Sequence, residues 1–76
     1  MIANDADQTY QQAVSARDVA ARKLYEAELA VHDAHQSHID QWIRATHDRL
    51  HTAVVQYVAA QDAVSALRPV SAGAAA

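Results

Sequence analysis

The chain has 76 residues, of which 6 are lysine or arginine, 9 are aspartate or glutamate, 5 are histidine and none is cysteine. This composition excludes disulfide bonds and thiolate metal sites, and the net charge of -3 opposes binding to the phosphate backbone of nucleic acids. Because so short a chain forms one domain at most and buries a small core, helix pairing, self-association or a cysteine-free metal site is expected to reinforce the fold.

The local sequence favours helix almost throughout. Alanine fills a quarter of all positions, and no glycine or proline occurs before Pro69. Asn4, Asp5 and Asp7 can cap a helix N-terminus, and Asp5 with Gln8 has the spacing of a capping box. We therefore expect an all-α fold whose first helix begins near residue 5.

The first half of the chain carries an apolar stripe of mostly small side chains. Its members recur at spacings of three, four or seven, which is typical of an amphipathic helix; they are Ala6, Tyr10, Ala13, Ala20, Leu24, Ala27, Val31 and Ala34. Small side chains let two helix axes approach closely. The stripe therefore predicts packing against a partner helix with larger side chains.

The second half supplies such a stripe, made of Ile39, Ile43, Leu50, Val54, Tyr57 and Val64 and flanked by Trp42, Ala53 and Ala60. Residues 32–41, where the first stripe ends and the second begins, are the least apolar part of the middle of the chain. Ser37 with Asp40 has the spacing of a second capping box. These features predict an antiparallel two-helix hairpin over residues 1–68 with its turn near 34–38.

Two alternatives to the hairpin stay open at this point. A helical period of apolar and polar positions continues across the predicted turn, so one helix of about 60 residues that dimerises as a coiled coil also fits the pattern. Three shorter helices fit less well. In each case Pro69 ends the helical region, and residues 69–76 are expected to form a flexible C-terminal tail.

A second apolar set lies off the two stripes, and a lone hairpin would leave it in water. It consists of Val19, Tyr25, Leu29, Ala30, Val55 and Leu67. We expect it to drive dimerisation of two hairpins into a four-helix bundle. The residues predicted to carry interactions are Val19, Tyr25, Leu29, Trp42 and Val55, and those predicted to form the core are Leu24, Val31, Ile43, Leu50, Val54 and Tyr57. Arg17 and Gln61 interrupt the stripes and are expected to fix the helix register.

The histidines are the one chemical anomaly of the composition, since all five lie within residues 32–51. His47 and His51 are four residues apart on one helix side, and Asp40 precedes His47 by seven residues. These three residues form a candidate site for Zn²⁺ or another divalent transition metal. His32, His35 and His38 lie around the predicted turn, so a metal- or pH-responsive helical protein is the alternative functional hypothesis.

No catalytic or cofactor motif is present. The sequence has no glycine-rich phosphate loop and no nucleophile placed beside a base. We therefore expect no enzyme and no cofactor, but a homo-oligomeric interaction module that presents a face to a protein partner. Nucleic acid and membrane are not expected as partners. The absence of a signal-peptide pattern favours a cytoplasmic location, and a regulator of a nucleic-acid-binding protein is a third hypothesis.

Overall fold

The protein is a hairpin of two α-helices. The computed structural model describes the backbone of residues 2–67 and the side chains of residues 7–67. Helix α1 spans Ile2–Ser37 and helix α2 spans Asp40–Ala66, and the two pack against each other along their length. The all-α hairpin is confirmed, and the continuous helix and the three-helix arrangement are wrong. The predicted tail at 69–76 lies outside the described residues.

The chain reverses at His38 and Ile39, at the C-terminal edge of the predicted turn region. Helix α1 begins three residues before the predicted start. Since the side chains of Asn4 and Asp5 lie outside the described part, the predicted cap at that end stays a prediction.

A seven-residue repeat determines which side chains lie between the helices. The buried or half-buried residues alternate in spacings of three and four, the pattern of a coiled coil. On α1 they include Tyr10, Ala13, Arg17, Ala20, Leu24, Ala27, Val31 and Ala34, and on α2 they include Ile43, Thr46, Leu50, Ala53, Tyr57, Ala60 and Val64. We call this set the seam. Alanine occupies every second seam position of α1, at residues 13, 20, 27 and 34, which lets the helices approach closely.

The predicted division into a small-sided and a large-sided helix is wrong, because each helix alternates small and large residues along the seam. Ile39 and Val54, both predicted in the apolar stripe, are exposed, whereas Ala53 is buried. One residue along a helix turns the side chain by about 100°. A shift of one position from Val54 to Ala53 therefore exchanges a large seam residue for a small one.

The two polar residues predicted to fix the register have different outcomes. Arg17 lies half-buried in the seam, and its Nη2 is 3.3 Å from Oδ1 of the neighbouring Asp18. Gln61 is exposed, so its predicted place in the seam is wrong. Its neighbour Ala60 takes the seam position instead.

Backbone and side-chain hydrogen bonds define the turn. His38 has φ 60°, and its N–H donates to the carbonyl of His35 at 3.3 Å. The Ser37 hydroxyl donates to the Ala34 carbonyl and accepts the N–H of Ile39 at 3.2 Å. Ile39 is the N-cap of α2 and makes no side-chain cap hydrogen bond. The predicted capping box of Ser37 with Asp40 is wrong, since Ser37 closes α1 instead of opening α2.

The interior of this hairpin is small. The buried apolar residues of the described part are Ala20, Ala27, Ala34, Ala53 and Val64, and no large side chain there is fully buried. The predicted core residues Leu24, Val31, Ile43, Leu50 and Tyr57 are half-buried. A single layer of two helices therefore leaves much of its apolar surface in contact with water.

Candidate functional site

The residues predicted to carry interactions all lie on the surface. Val19, Tyr25, Leu29, Trp42 and Val55 are exposed, with 62% of Tyr25, 54% of Val55 and 52% of Trp42 accessible. Their outward position is confirmed, and their role in association stays a prediction. Of the other residues in that apolar set, Leu67 is exposed and Ala30 is half-buried.

Helix α1 has an apolar outer side, opposite the seam. Tyr25 and Leu29 lie two residues before and two residues after Ala27, which is fully buried in the seam. Each is therefore about 200° around the helix from the seam, and because they are four residues apart they are neighbours. We call Tyr25 and Leu29 the outer side of α1.

Helix α2 has a corresponding outer side formed by Val55 and Val58. Val55 lies two residues after the buried Ala53, and Val58 lies three residues further along, so both point away from the seam and both are exposed. Sequence reasoning missed Val58. Its spacing of three from Val55 is the signal that would have identified it.

Trp42 lines a shallow apolar groove next to the turn. The groove encloses about 340 Å³. Its other lining residues come from both helices and are Ala30, Asp33, Ala34, Ala45 and Thr46. The Thr46 hydroxyl donates to the carbonyls of Trp42 and Ile43 at 2.8 and 3.0 Å. That bifurcated bond anchors the first turns of α2, on which the exposed indole is carried.

The histidines do not form the predicted three-ligand metal site. Asp40, His47 and His51 are all exposed on α2, and within the described residues no group of three or more His, Asp or Glu side chains is arranged to hold a metal ion. His47 instead meets His35 of α1. Their Nε2 atoms are 3.0 Å apart, and the rings are edge-to-face with centroids 5.2 Å apart and planes at 88°.

The pairing of His35 with His47 follows from the seam register, which sequence reasoning did not use. His35 comes four residues after Val31, and His47 comes four residues after Ile43, and both of those residues belong to the seam. Equivalent positions flanking an antiparallel helix seam face each other. In the hydrogen bond between the rings one Nε2 donates and the other accepts, which requires that at least one ring be neutral.

No family model, curated protein or solved structure matches this chain. Among the described residues, neither helix has a stretch long and apolar enough to span a membrane. The features of the molecule that bear on function are the two outer sides, the Trp42 groove and the histidine pair.

Proposed function

We propose that the protein is a non-enzymatic helical module that associates with a second copy of itself through the outer side of α1. The resulting four-helix assembly leaves the outer side of α2, with Val55 and Val58, open to a protein partner. The observation that carries this proposal is the contrast between interior and surface. Within the described residues five apolar side chains are buried, four of them alanine, whereas nine large apolar side chains are exposed.

The energetics of so small a seam support association. Full burial of a Val, Leu, Ile or Phe side chain contributes about 1.5–3 kcal/mol, and among the residues whose side chains are described only Val64, with 5% exposed, comes close to it. Ordering the backbone costs about 1–2 kcal/mol per residue. A second copy adds buried apolar area without adding a residue to the chain, which is the common reinforcement for small helical folds.

The position of the outer side of α1 suits a symmetric pair. Tyr25 and Leu29 lie in the C-terminal half of α1, and a two-fold axis near residue 27 places Tyr25 of one copy against Leu29 of the other in both directions. Helix α1 has 36 residues against 27 in α2, so its N-terminal part extends about nine residues beyond the end of α2. With the axis near residue 27, two antiparallel α1 helices overlap over about residues 17–37, a little more than half of the helix.

Sedimentation velocity over a hundredfold range of chain concentration tests the proposal. We expect the wild-type chain to change from monomer to dimer as its concentration rises. A double variant with Tyr25→Ser and Leu29→Ser should have a dimer dissociation constant at least about tenfold higher. The control is Val55→Ser with Val58→Ser, which removes two exposed, smaller apolar side chains from the outer side of α2. We expect that control to dimerise like wild type.

Two outcomes contradict the proposal. A folded wild-type chain that stays monomeric at every concentration excludes self-association. Dissociation caused by the α2 double variant but not by the α1 double variant assigns the contact to the other helix.

A further inference from the structure

We propose that His35 and His47 form a two-histidine site for Cu²⁺ that joins α1 to α2 beside the turn. This site differs from the one predicted from sequence, because it takes one ligand from each helix and uses neither His51 nor Asp40. It requires a single folded chain and is independent of self-association.

The distance between the two nitrogens matches the requirement of a shared metal ion. Metal–imidazole bonds are 2.0–2.1 Å long. Two Nε2 atoms 3.0 Å apart can therefore bind one ion with an angle of about 94° between the two bonds. That angle is close to the 90° between neighbouring ligands in a tetragonal site, and an increase of about 0.3 Å in the separation reaches the tetrahedral angle.

The donor type favours copper. Imidazole nitrogens suit Cu²⁺, Ni²⁺ and Zn²⁺, and affinity for a given donor set rises to Cu²⁺ and falls again at Zn²⁺. Cu²⁺ also prefers tetragonal geometry, whereas Zn²⁺ prefers tetrahedral geometry. We therefore expect Cu²⁺ to bind most tightly and Ni²⁺ and Zn²⁺ to bind more weakly, with water molecules completing the coordination.

Binding requires only local rearrangement. At present the two rings share a hydrogen bond, so at least one carries its proton on Nε2. The ion requires both rings in the Nδ1–H form, which two neutral rings reach by moving that proton from Nε2 to Nδ1 through solvent, with no net proton release. Both side chains are exposed, and the broad χ2 torsion of histidine lets each lone pair tilt toward the shared ion.

Copper bound in this way is expected to stabilise the hairpin. His35 and His47 are 12 residues apart in sequence and belong to different helices, so their nitrogens meet because the chain is folded back on itself. A ligand that binds the folded chain and not the unfolded chain raises stability in proportion to the logarithm of its concentration over Kd. The thermal midpoint should therefore rise with Cu²⁺ concentration.

The test is calorimetric titration of CuCl₂ into the full chain, produced without an affinity tag, and into four single variants. We expect one Cu²⁺ per chain, and about a tenfold or greater loss of affinity in His35→Gln and in His47→Gln. The matched controls are His38→Gln and His51→Gln, two exposed histidines outside the pair, which should bind like wild type. Circular dichroism in the presence of EDTA checks that each variant is helical.

Electron paramagnetic resonance of the copper-loaded wild-type chain gives a second readout that needs no variant. Hyperfine splitting from two equatorial imidazole nitrogens supports the pair, and splitting from one nitrogen overturns it. Two titration results also overturn it. One is an equal loss of affinity in His51→Gln and His35→Gln, and the other is binding that no single variant weakens, because each result is expected when scattered surface histidines capture the copper. The Tyr25→Ser, Leu29→Ser variant should keep the site, so failure of self-association and failure of copper binding are distinguishable.

Discussion

At the scale of single residues, Ala27 shows how closely the helices approach. It is fully buried at the centre of the α1 seam, where a larger side chain has no space. We expect Ala27→Leu to lower the free energy of unfolding by about 1–3 kcal/mol, because overpacking forces the helix axes apart. Urea denaturation followed by circular dichroism at fixed chain concentration measures the change.

Ala21→Leu is the matched control for that substitution. Ala21 lies on the same helix and is exposed, so the added methylene groups meet solvent and the stability should change by less than about 0.5 kcal/mol. Equal destabilisation of the two variants would show that the seam does not include Ala27.

His38 carries the left-handed backbone conformation of the turn. Its φ of 60° places the Cβ of a non-glycine residue against its own carbonyl at a cost of about 1–2 kcal/mol. We expect His38→Gly to raise the free energy of unfolding by about 0.5–1 kcal/mol after the added chain entropy of glycine is included. Thermal denaturation measures this shift.

The same substitution at His51 should act in the opposite direction. His51 is exposed in the interior of α2, where glycine is less favourable than histidine by about a few tenths of a kcal/mol. If both glycine variants are destabilised to the same extent, the positive φ at His38 is not a feature of the folded chain in solution.

At the scale of the helices, the start of α2 lacks an optimal cap. Ile39 occupies the N-cap with extended backbone angles, and its side chain has no oxygen that could accept a hydrogen bond from an N–H group of the first turn. Serine at this position can accept one of them, and such a cap contributes about 1 kcal/mol. We expect Ile39→Ser to be more stable than Ile39→Ala by that amount, as measured by thermal denaturation.

The comparison of serine with alanine isolates the cap, because both variants lose the same apolar side chain, which is exposed in any case. Equal stability of the two variants would show that residue 39 is not the N-cap of α2.

The helices themselves could be predicted from the sequence, but their facing sides only in part. Absence of glycine and proline up to residue 68 made the helical state predictable, and alanines such as Ala20 and Ala27 were placed correctly on the facing side. Val54 was placed on the facing side incorrectly, because Val54 and Ala53 are adjacent in the sequence and both belong to a broad apolar face of α2. Only the position of the partner helix decides which of them is covered.

At the scale of the whole molecule, the proposed association makes stability depend on concentration. Mass action adds about 1.4 kcal/mol of dimer stability for each tenfold increase in chain concentration. The thermal midpoint of wild type should rise by about a few degrees per tenfold step. The Tyr25→Ser, Leu29→Ser variant should show a lower midpoint than wild type at the same concentration, because its dimer is weaker.

A concentration-independent midpoint in wild type, with the transition still cooperative, would contradict the proposed self-association. Differential scanning calorimetry gives the midpoint and the cooperativity in one measurement.

By itself the sequence determined the helical state of both halves, the existence of a turn between them and the outward position of Tyr25, Leu29 and Val55. These features depend on local propensity and on periodicity within one helix. Only the tertiary structure decided that Ala53 rather than Val54 enters the seam, that Ser37 ends α1, and that His47 meets His35 rather than joining His51. Each of these depends on the relative rotation and register of the two helices. The two-residue turn and the alanines packed in the seam determine that rotation and register.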